Sequence, residues 1–457
     1  MITILGAGLA GLSCSFHLGH DQCRIYEANS YPGGHIHSRE KNGCVWDQGP
    51  HVSFTKNNYV KCLFEKSING EYSSYKAEVG NYFHGAWIPH PAQANLFAVP
   101  EPLRSQCLDG FLARVEHAAD ENHHVASYED WLLAAFGDVF TAEFSAVYTQ
   151  KYWTVAPKQL TTDWVGGRVF RPEIDAVVKG YNGPPSVAAH YIQEVRYPNN
   201  GGYFSYAKGF IAGANISTGY QATSIDLERQ EIKFANGELH IYEKLINTIP
   251  LPDFVRLCSP PENVRSAADQ LTCTSMLLVN VVAAHPTMKS YHWMYVYDEN
   301  MLSTRISCIE LISPSSVPAG KTALQVEVYA SRYKPFTLSH NEIAEIVCQE
   351  LIAMGFVASV ESCHTHYIPH ANVVFDHSRR KSLDCIFDWL SGYGLVREDD
   401  DLDAMTDWKR EINFAPDRLV LAGRFGQWKY FWSDDCVLRG RQIAAAFKGT
   451  FDTEYFC

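Results

Sequence analysis

The chain has no run of about 18 consecutive apolar residues, so no segment of it is expected to span a membrane. It also lacks a surplus of positive charge: 38 Lys and Arg face 51 Asp and Glu, a formal net charge of −13. A protein that grips a nucleic-acid backbone normally carries a basic surplus, so nucleic acid is not an expected partner. Arginine clusters for an anionic small molecule remain compatible with that balance. Closely spaced cysteines are missing too. The nearest pair among thirteen is Cys14 and Cys23, which excludes a CxxC redox or zinc motif. Such an odd, scattered set reads as reduced thiols filling a core, with neither disulfides nor a metal expected. Internal repeats and low-complexity tracts are absent. The apolar N-terminus lacks the basic residues that open a secretory signal, so the cytoplasm is the expected compartment. What is present is an ordinary globular composition, 46% hydrophobic and 19% charged over 457 residues. That length suits two or three domains at roughly 150 residues each.

The pattern of apolar residues predicts an α/β fold. Residues 2–27 read as a strand, a glycine turn, a helix from Leu9 to about Leu18, and a strand at Cys23–Tyr26. Short strands such as Glu231–Phe234, ending in an apolar strand at Lys244–Thr248, continue the same domain. A strand at Arg418–Ala422 and a helix at Val437–Phe447 complete it. Between these parts lie a stretch of helical spacing, exemplified by Tyr128–Phe136, and a β-rich stretch with Met276–Ala284 and Ala323–Ala330. Helices are expected there at Asn341–Met354 and Ser382–Leu390. The expected architecture is a discontinuous Rossmann-like nucleotide-binding domain (1–89, 200–254 and 401–457). A helical insert (90–199) and a β-rich insert (255–400) interrupt it.

The first turn carries the chemistry. Gly6, Gly8 and Gly11 form a GxGxxG set that follows a strand and opens a helix. Gly6 suits the tight turn, Gly8 lets backbone N–H groups approach a pyrophosphate, and Gly11 lets the helix pack on the strand. Glu27 stands 21 residues after Gly6, at the end of the second strand, where a carboxylate bonds a ribose hydroxyl. The turn Asn29-Ser-Tyr-Pro-Gly-Gly34 then resembles that of flavoproteins of the amine-oxidase and glutathione-reductase type. FAD, rather than NAD alone, is therefore the expected cofactor, with Gly33 and Gly34 beside its phosphates.

Six further stretches, in order along the chain, resemble the UDP-galactopyranose mutases, nearer to their eukaryotic branch. This family lies within the amine-oxidase and protoporphyrinogen-oxidase-like superfamily. The run Trp46-Asp-Gln-Gly-Pro-His-Val-Ser-Phe54 is similar to the family's flavin-facing histidine loop. Gly85–Asn95 resembles its W-x-P-Y-P-x-Q-N stretch. Tyr148–Val155 and Trp164–Arg168 resemble its helical substrate-binding segment. Trp293-Met-Tyr295, Arg305 and Gln325-Val-Glu-Val repeat its β-domain pattern, and Ala422–Tyr430 resembles its C-terminal flavin motif.

The resemblance implies a pyranose/furanose mutase of a nucleotide-diphosphate sugar, in galactofuranose or related glycan biosynthesis. It uses reduced FAD, whose N5 attacks the anomeric carbon without net redox, and NAD(P)H is a candidate reductant. It also implies roles. His51 faces the flavin, while Arg168 and Arg305 clamp the diphosphate, for which guanidinium forks are the apt chemistry. Gly202 and Arg424 belong with the cofactor. Phe54, Gln93, Trp153, Tyr295 and Tyr430 contact substrate, the aromatic rings covering base or sugar. A homo-oligomer is compatible with all of this.

The chain departs from the family pattern at several positions. His90 replaces a tyrosine, Thr149 an asparagine, and Pro50 a glycine. Asn372 stands where a phosphate-binding tyrosine is expected, and Phe-Trp-Ser-Asp-Asp435 follows Tyr430. These changes bear on which sugar or nucleotide is used. The alternative expectation is an FAD-dependent oxidase or dehydrogenase of a polar or glycosyl substrate. A third is a flavin-binding scaffold without catalysis.

Overall fold

A computed structural model describes residues 1–117, 125–184, 194–398 and 415–449. Its nucleotide-binding core is a five-stranded parallel sheet. The strand order is Leu419–Leu421, Lys244–Asn247, Ile2–Leu5, Cys23–Glu27 and Ile216–Thr218. Parallel strands are covered on both faces, which is why these segments read as nearly unbroken apolar runs. The helix Leu9–Leu18 is buried along almost its whole length and packs against Ser433–Lys448. The contact is close enough that a Cβ at Gly440 would lie 2.6 Å from the Ser13 carbonyl carbon. Three segments far apart in the chain thus build one α/β unit, as expected.

The second large element is a seven-stranded sheet. Its order is Ser362–Val373, Cys273–Ala283, Thr322–Ala330, Arg305–Cys308, Trp293–Val296, Val79–Phe83 and Ala86–Pro89. All its pairings are antiparallel except that of Trp293–Val296 with Val79–Phe83. The period-2 alternation of strand side chains gives the sheet two unlike faces. Leu277, Val279, Val281, Met294, Ile306, Leu324 and Val326 pack with Ile343, Val347 and Leu351 of the helix His340–Ala353. Met276, Trp293, Tyr295, Arg305, Ser307, Glu327 and Tyr329 alternate with them and line a cavity on the other face. Strands Val79–Phe83 and Ala86–Pro89 lie within the stretch 1–89 assigned above to the nucleotide domain, yet they extend this sheet. They form a tight hairpin with little apolar periodicity of its own, and its pairing with Trp293–Val296 spans more than 200 residues.

The helical insert contains Leu103–His117, Tyr128–Phe136, Ala146–Tyr152 and Ile174–Asn182, with a π-helical turn at Thr141–Ser145. Ser127 caps Tyr128–Phe136 in a reciprocal capping box with Asp130. The other expected elements occur with small shifts at their ends: Cys273–Ala283, Thr322–Ala330, His340–Ala353, Arg379–Ser391 and Ser433–Lys448. Among the described residues no helix is long and apolar enough to cross a membrane. No group of three or more metal-ligating side chains occurs among them either. Eleven cysteines are free thiols. Cys62 is disulfide-bonded, which overturns the expectation of reduced thiols at that position. No local spacing marks it out in the sequence.

Candidate active site

One cavity of about 700 Å³ lies between the glycine turn, the polar face of the seven-stranded sheet and the helical insert. Its first wall is a backbone cradle. Gly6 has φ +99°, and a Cβ there would lie 2.5 Å from Thr248 Oγ1, so only glycine fits. Gly8 and Gly34 face one another so closely that a Cβ on Gly34 would lie 3.0 Å from the Gly8 Cα. Gly11 does not line the cavity; its added Cβ would meet the Gly6 carbonyl oxygen at 2.1 Å, which fits a packing role. The first-turn N–H groups of the helix Leu9–Leu18 have no helical partner and offer an anion site.

Glu27 braces the cradle. One oxygen accepts the Ala7 N–H at 2.8 Å, and the other accepts the backbone and side-chain N–H of Asn29 at 2.9 and 2.8 Å. The oxygen that accepts from Ala7 keeps a second lone pair for a ribose hydroxyl. These residues fit a dinucleotide, since glycine contacts admit a pyrophosphate and the acid is held at the strand end. Gly202 is different. It is absent from the cavity wall, and a Cβ on it would lie 2.3 Å from Ser38 Oγ and 2.9 Å from Asp47 Oδ1. It closes a packing contact rather than a cofactor contact.

His51 lines the cavity and its ring stacks on Tyr203 with centroids 5.1 Å apart. Nδ1 donates to the Gly49 carbonyl at 2.7 Å. Burial, aided by the positive charges of Arg305 and Arg424, pulls its pKa down to about 4, so the imidazole is neutral at pH 7. His35 donates to the His370 carbonyl at 2.6 Å. Phe54 meets Trp432 edge to face.

The three arginines differ in how they are held. Arg305 makes a two-pronged bond to Glu327, Nε and Nη2 lying 2.9 and 2.6 Å from its oxygens. Burial opposes its charge, but Glu327 outweighs that and keeps it firmly protonated. Arg168 donates to Asp435 at 3.1 Å and lies 4.1 Å from the centre of the Trp432 ring, while its Nη1 is buried without a partner. Asp435, pushed up to about 6 by burial and by Asp434, is drawn back by Arg168. Among the described residues Arg424 bonds neutral acceptors: the Phe431 carbonyl at 2.8 Å, the Ala371 carbonyl at 3.3 Å and Asn372 Oδ1 at 3.4 Å.

Tyrosines fill the space between the arginines. Tyr148, Tyr152, Tyr295, Tyr329 and Tyr430 line the wall, and burial raises the hydroxyl pKa of the first four, which stay neutral. The Tyr148 hydroxyl has no hydrogen-bond partner among the described residues. Tyr295 accepts from Trp293 Nε1 at 3.2 Å. Trp153 packs against Trp164 and Tyr430. Gln93 donates to the Phe170 carbonyl at 3.3 Å. All the expected site residues except Gly11 and Gly202 therefore border one cavity.

No role was expected for Glu327 or Asp435, the acids that hold Arg305 and Arg168. Glu327 did carry a signal, because a carboxylate in the strand Thr322–Ala330 is buried among apolar neighbours. Asp435 sits in a first helical turn, where an acid is ordinary, and gave none.

The family profile of NAD(P)-binding Rossmann-like domains matches residues 4–67. Among solved structures, a reduced UDP-galactopyranose mutase is similar with a TM-score of 0.85 at 23% identity, over 98% of this chain and 93% of that one. A protoporphyrinogen oxidase described as putative, from Exiguobacterium sp. 255-15, gives 0.69 at 15% identity over 98% of each chain. A putrescine oxidase double mutant gives 0.60 at 13% identity, again over 98% of each chain. At these identities the likeness is one of fold: a mixed α/β protein with a Rossmann-like domain and additional sheets and helices.

Proposed function

We propose that this protein is an FAD-dependent mutase that interconverts the pyranose and furanose forms of a nucleotide-diphosphate sugar. The observation that carries the reading is a single cavity lined both by a dinucleotide cradle and by arginines interleaved with neutral tyrosines. Bound in reduced form, FAD supplies a nucleophilic N5 for the anomeric carbon, with no net electron transfer.

The chain's own residues do the rest. A departing diphosphate carries two to three negative charges, and the guanidinium groups of Arg168 and Arg305 offset that charge without giving up a proton. Arg168 has one nitrogen already unpartnered and Arg305 is held in a fixed orientation by Glu327, so both are set before substrate arrives. Neutral His51 accepts or donates one hydrogen bond beside the cofactor and adds no positive charge to the site. Trp153, Trp164 and Tyr430 exclude water from the sugar.

One observation favours a second reading, an FAD-dependent oxidoreductase of a polar or glycosyl substrate. Arg168 and Arg305 are each paired with a carboxylate, so two of the three cations are already neutralised. An anaerobic assay decides. UDP-, dTDP- and GDP-sugars are incubated with oxidised or dithionite-reduced protein and the products separated. An isomer of unchanged mass formed only with reduced flavin is the expected result. Flavin bleached by one sugar, without an isomer, would establish the oxidoreductase instead.

A further inference from the structure

Two thiols meet where the helix His340–Ala353 lies against the edge of the seven-stranded sheet. The strand Ser362–Val373 is outermost in that sheet and pairs with Cys273–Ala283. On it Cys363 stands opposite Val281, and residues directly opposite in an antiparallel pair share a face. The helix covers that face, since Val281 packs with Ile343, Val347 and Leu351. Ala344, Cys348 and Ile352, spaced by four, form a second helical stripe beside those three and join the same cluster. Cys348 is thereby 8% exposed, while Cys363 is half-buried at the margin of the cluster. Neither lines the cavity.

The two thiols hydrogen-bond to one another. That bond pulls the Cys348 thiol below its ordinary pKa, against the opposing effects of burial and Glu345. Donating the bond, together with burial, holds the Cys363 thiol up. Cysteines that merely fill a core behave otherwise: burial pushes the thiols of Cys14 and Cys107 up to about 12. The thiolate is the form that attacks an oxidant. Thiolate character with a second sulfur in reach separates a redox-active pair from inert core thiols.

We propose that Cys348 and Cys363 form a site of reversible oxidation that closes into an intrachain disulfide, with a hydroperoxide as the oxidant. The Cys348 thiolate attacks one peroxide oxygen and the O–O bond breaks, giving Cys348 sulfenic acid and hydroxide. Cys363 gives up its proton, and its sulfur attacks the sulfenic sulfur. The S–S bond forms as a second hydroxide is expelled. The two thiol protons convert both hydroxides to water, so two electrons pass from sulfur to the peroxide. The new bond joins the helix to a strand that has no neighbouring strand on its outer side among the described residues, and a dithiol reverses it.

Peptide mapping of the flavin-loaded protein after brief exposure to hydrogen peroxide tests this, with the remaining thiols alkylated before digestion. We expect the first loss to be of two thiols, found in one cross-linked peptide pair that contains Cys348 and Cys363. Its mass should be lower by two hydrogens, and dithiothreitol should restore both thiols. In Cys363→Ser the first sulfur has no partner to close on, so dimedone should trap Cys348 as the sulfenic acid, an adduct the parent does not give. Oxidation that begins at Cys273, Cys385 or Cys436, the other partly exposed thiols among the described residues, would overturn the proposal. So would a Cys348 sulfenic acid that accumulates in the parent, or a pair that stays reduced. The mapping uses the parent protein, so it decides even where Cys363→Ser fails to fold.

Discussion

On its cradle side the cavity is built from backbone. Gly6, Gly8 and Gly34 present bare main chain, and the buried acid there, Glu27, spends its oxygens on N–H groups within two residues of itself or across the adjacent strand. On the opposite side the same cavity is built from side-chain charge. Arg305 is tied to Glu327, 22 residues away, and Arg168 to Asp435, 267 residues away. A backbone cradle keeps open the space a ligand needs, and its one acid is braced by nearby N–H groups. A charged wall tolerates some change of shape, yet removing one member leaves a buried ion alone. The two sides should therefore fail in different ways, one by losing its ligand and the other by losing stability.

The largest expected effect is on the cradle. A Cβ at Gly8 would lie 4.0 Å from the Gly34 Cα, an ordinary contact, and Gly8 has φ −72°, which any residue adopts. Gly8→Val should thus leave the chain folded, within about 1 kcal/mol of the parent, because surface-like substitutions away from clashes cost little. The branched side chain would still occupy the space into which a pyrophosphate must come. Purified Gly8→Val is expected to carry no flavin, read as absence of the absorption band near 450 nm that flavins show. A yellow protein with normal flavin content would break the assignment of the cradle.

Next in size is Glu327→Ala. It leaves Arg305 buried and unpaired and removes the acceptor of the Tyr329 hydroxyl, 3.0 Å away. Breaking a buried pair by deleting one partner costs about 3–5 kcal/mol. Urea denaturation should show that loss while flavin content stays near that of the parent, the reverse of Gly8→Val. A stability loss under about 1 kcal/mol would mean that the charged wall is no more coupled to the fold than a surface pair.

The same contrast explains what could be read from the sequence. The cradle was legible because its determinants are local: three glycines within six residues, between a strand and a helix whose ends fell almost where expected. The arginines and tyrosines were visible only through family resemblance, and their partners were not visible at all. Pairing of Arg305 with Glu327 depends on the register of two antiparallel strands. That of Arg168 with Asp435 depends on how the helical insert meets the last helix. Nor does the sequence reveal that Val79–Phe83 and Ala86–Pro89 join the seven-stranded sheet. Gly202 was expected beside the cofactor on the family resemblance, whereas its φ of +70° and the closeness of Ser38 and Asp47 give it a structural task.

Asp47, outside the cavity wall, is another buried acid, and it sharpens the comparison through pH. Its carboxylate accepts from Ser38 Oγ at 2.5 Å, the Tyr197 hydroxyl at 2.7 Å and the Tyr203 N–H at 3.1 Å, while its carbonyl accepts from Gln325 of the large sheet. Burial nonetheless dominates these bonds and pushes its pKa up from 3.8 to about 6. The folded state therefore holds this proton more tightly than the unfolded chain does. Stability from this group is complete below the ordinary carboxylate pKa and is lost as pH rises through about 6. Asp47→Asn keeps the shape and one acceptor oxygen but cannot titrate. Between pH 4 and pH 7 the parent should lose about 2–3 kcal/mol relative to Asp47→Asn, measured as the difference of two urea titrations at each pH. A difference that stays constant across that range would show that the three hydrogen bonds, and not burial, set the ionisation of Asp47, and that this acid resembles the backbone-braced Glu27 more than a buried charge.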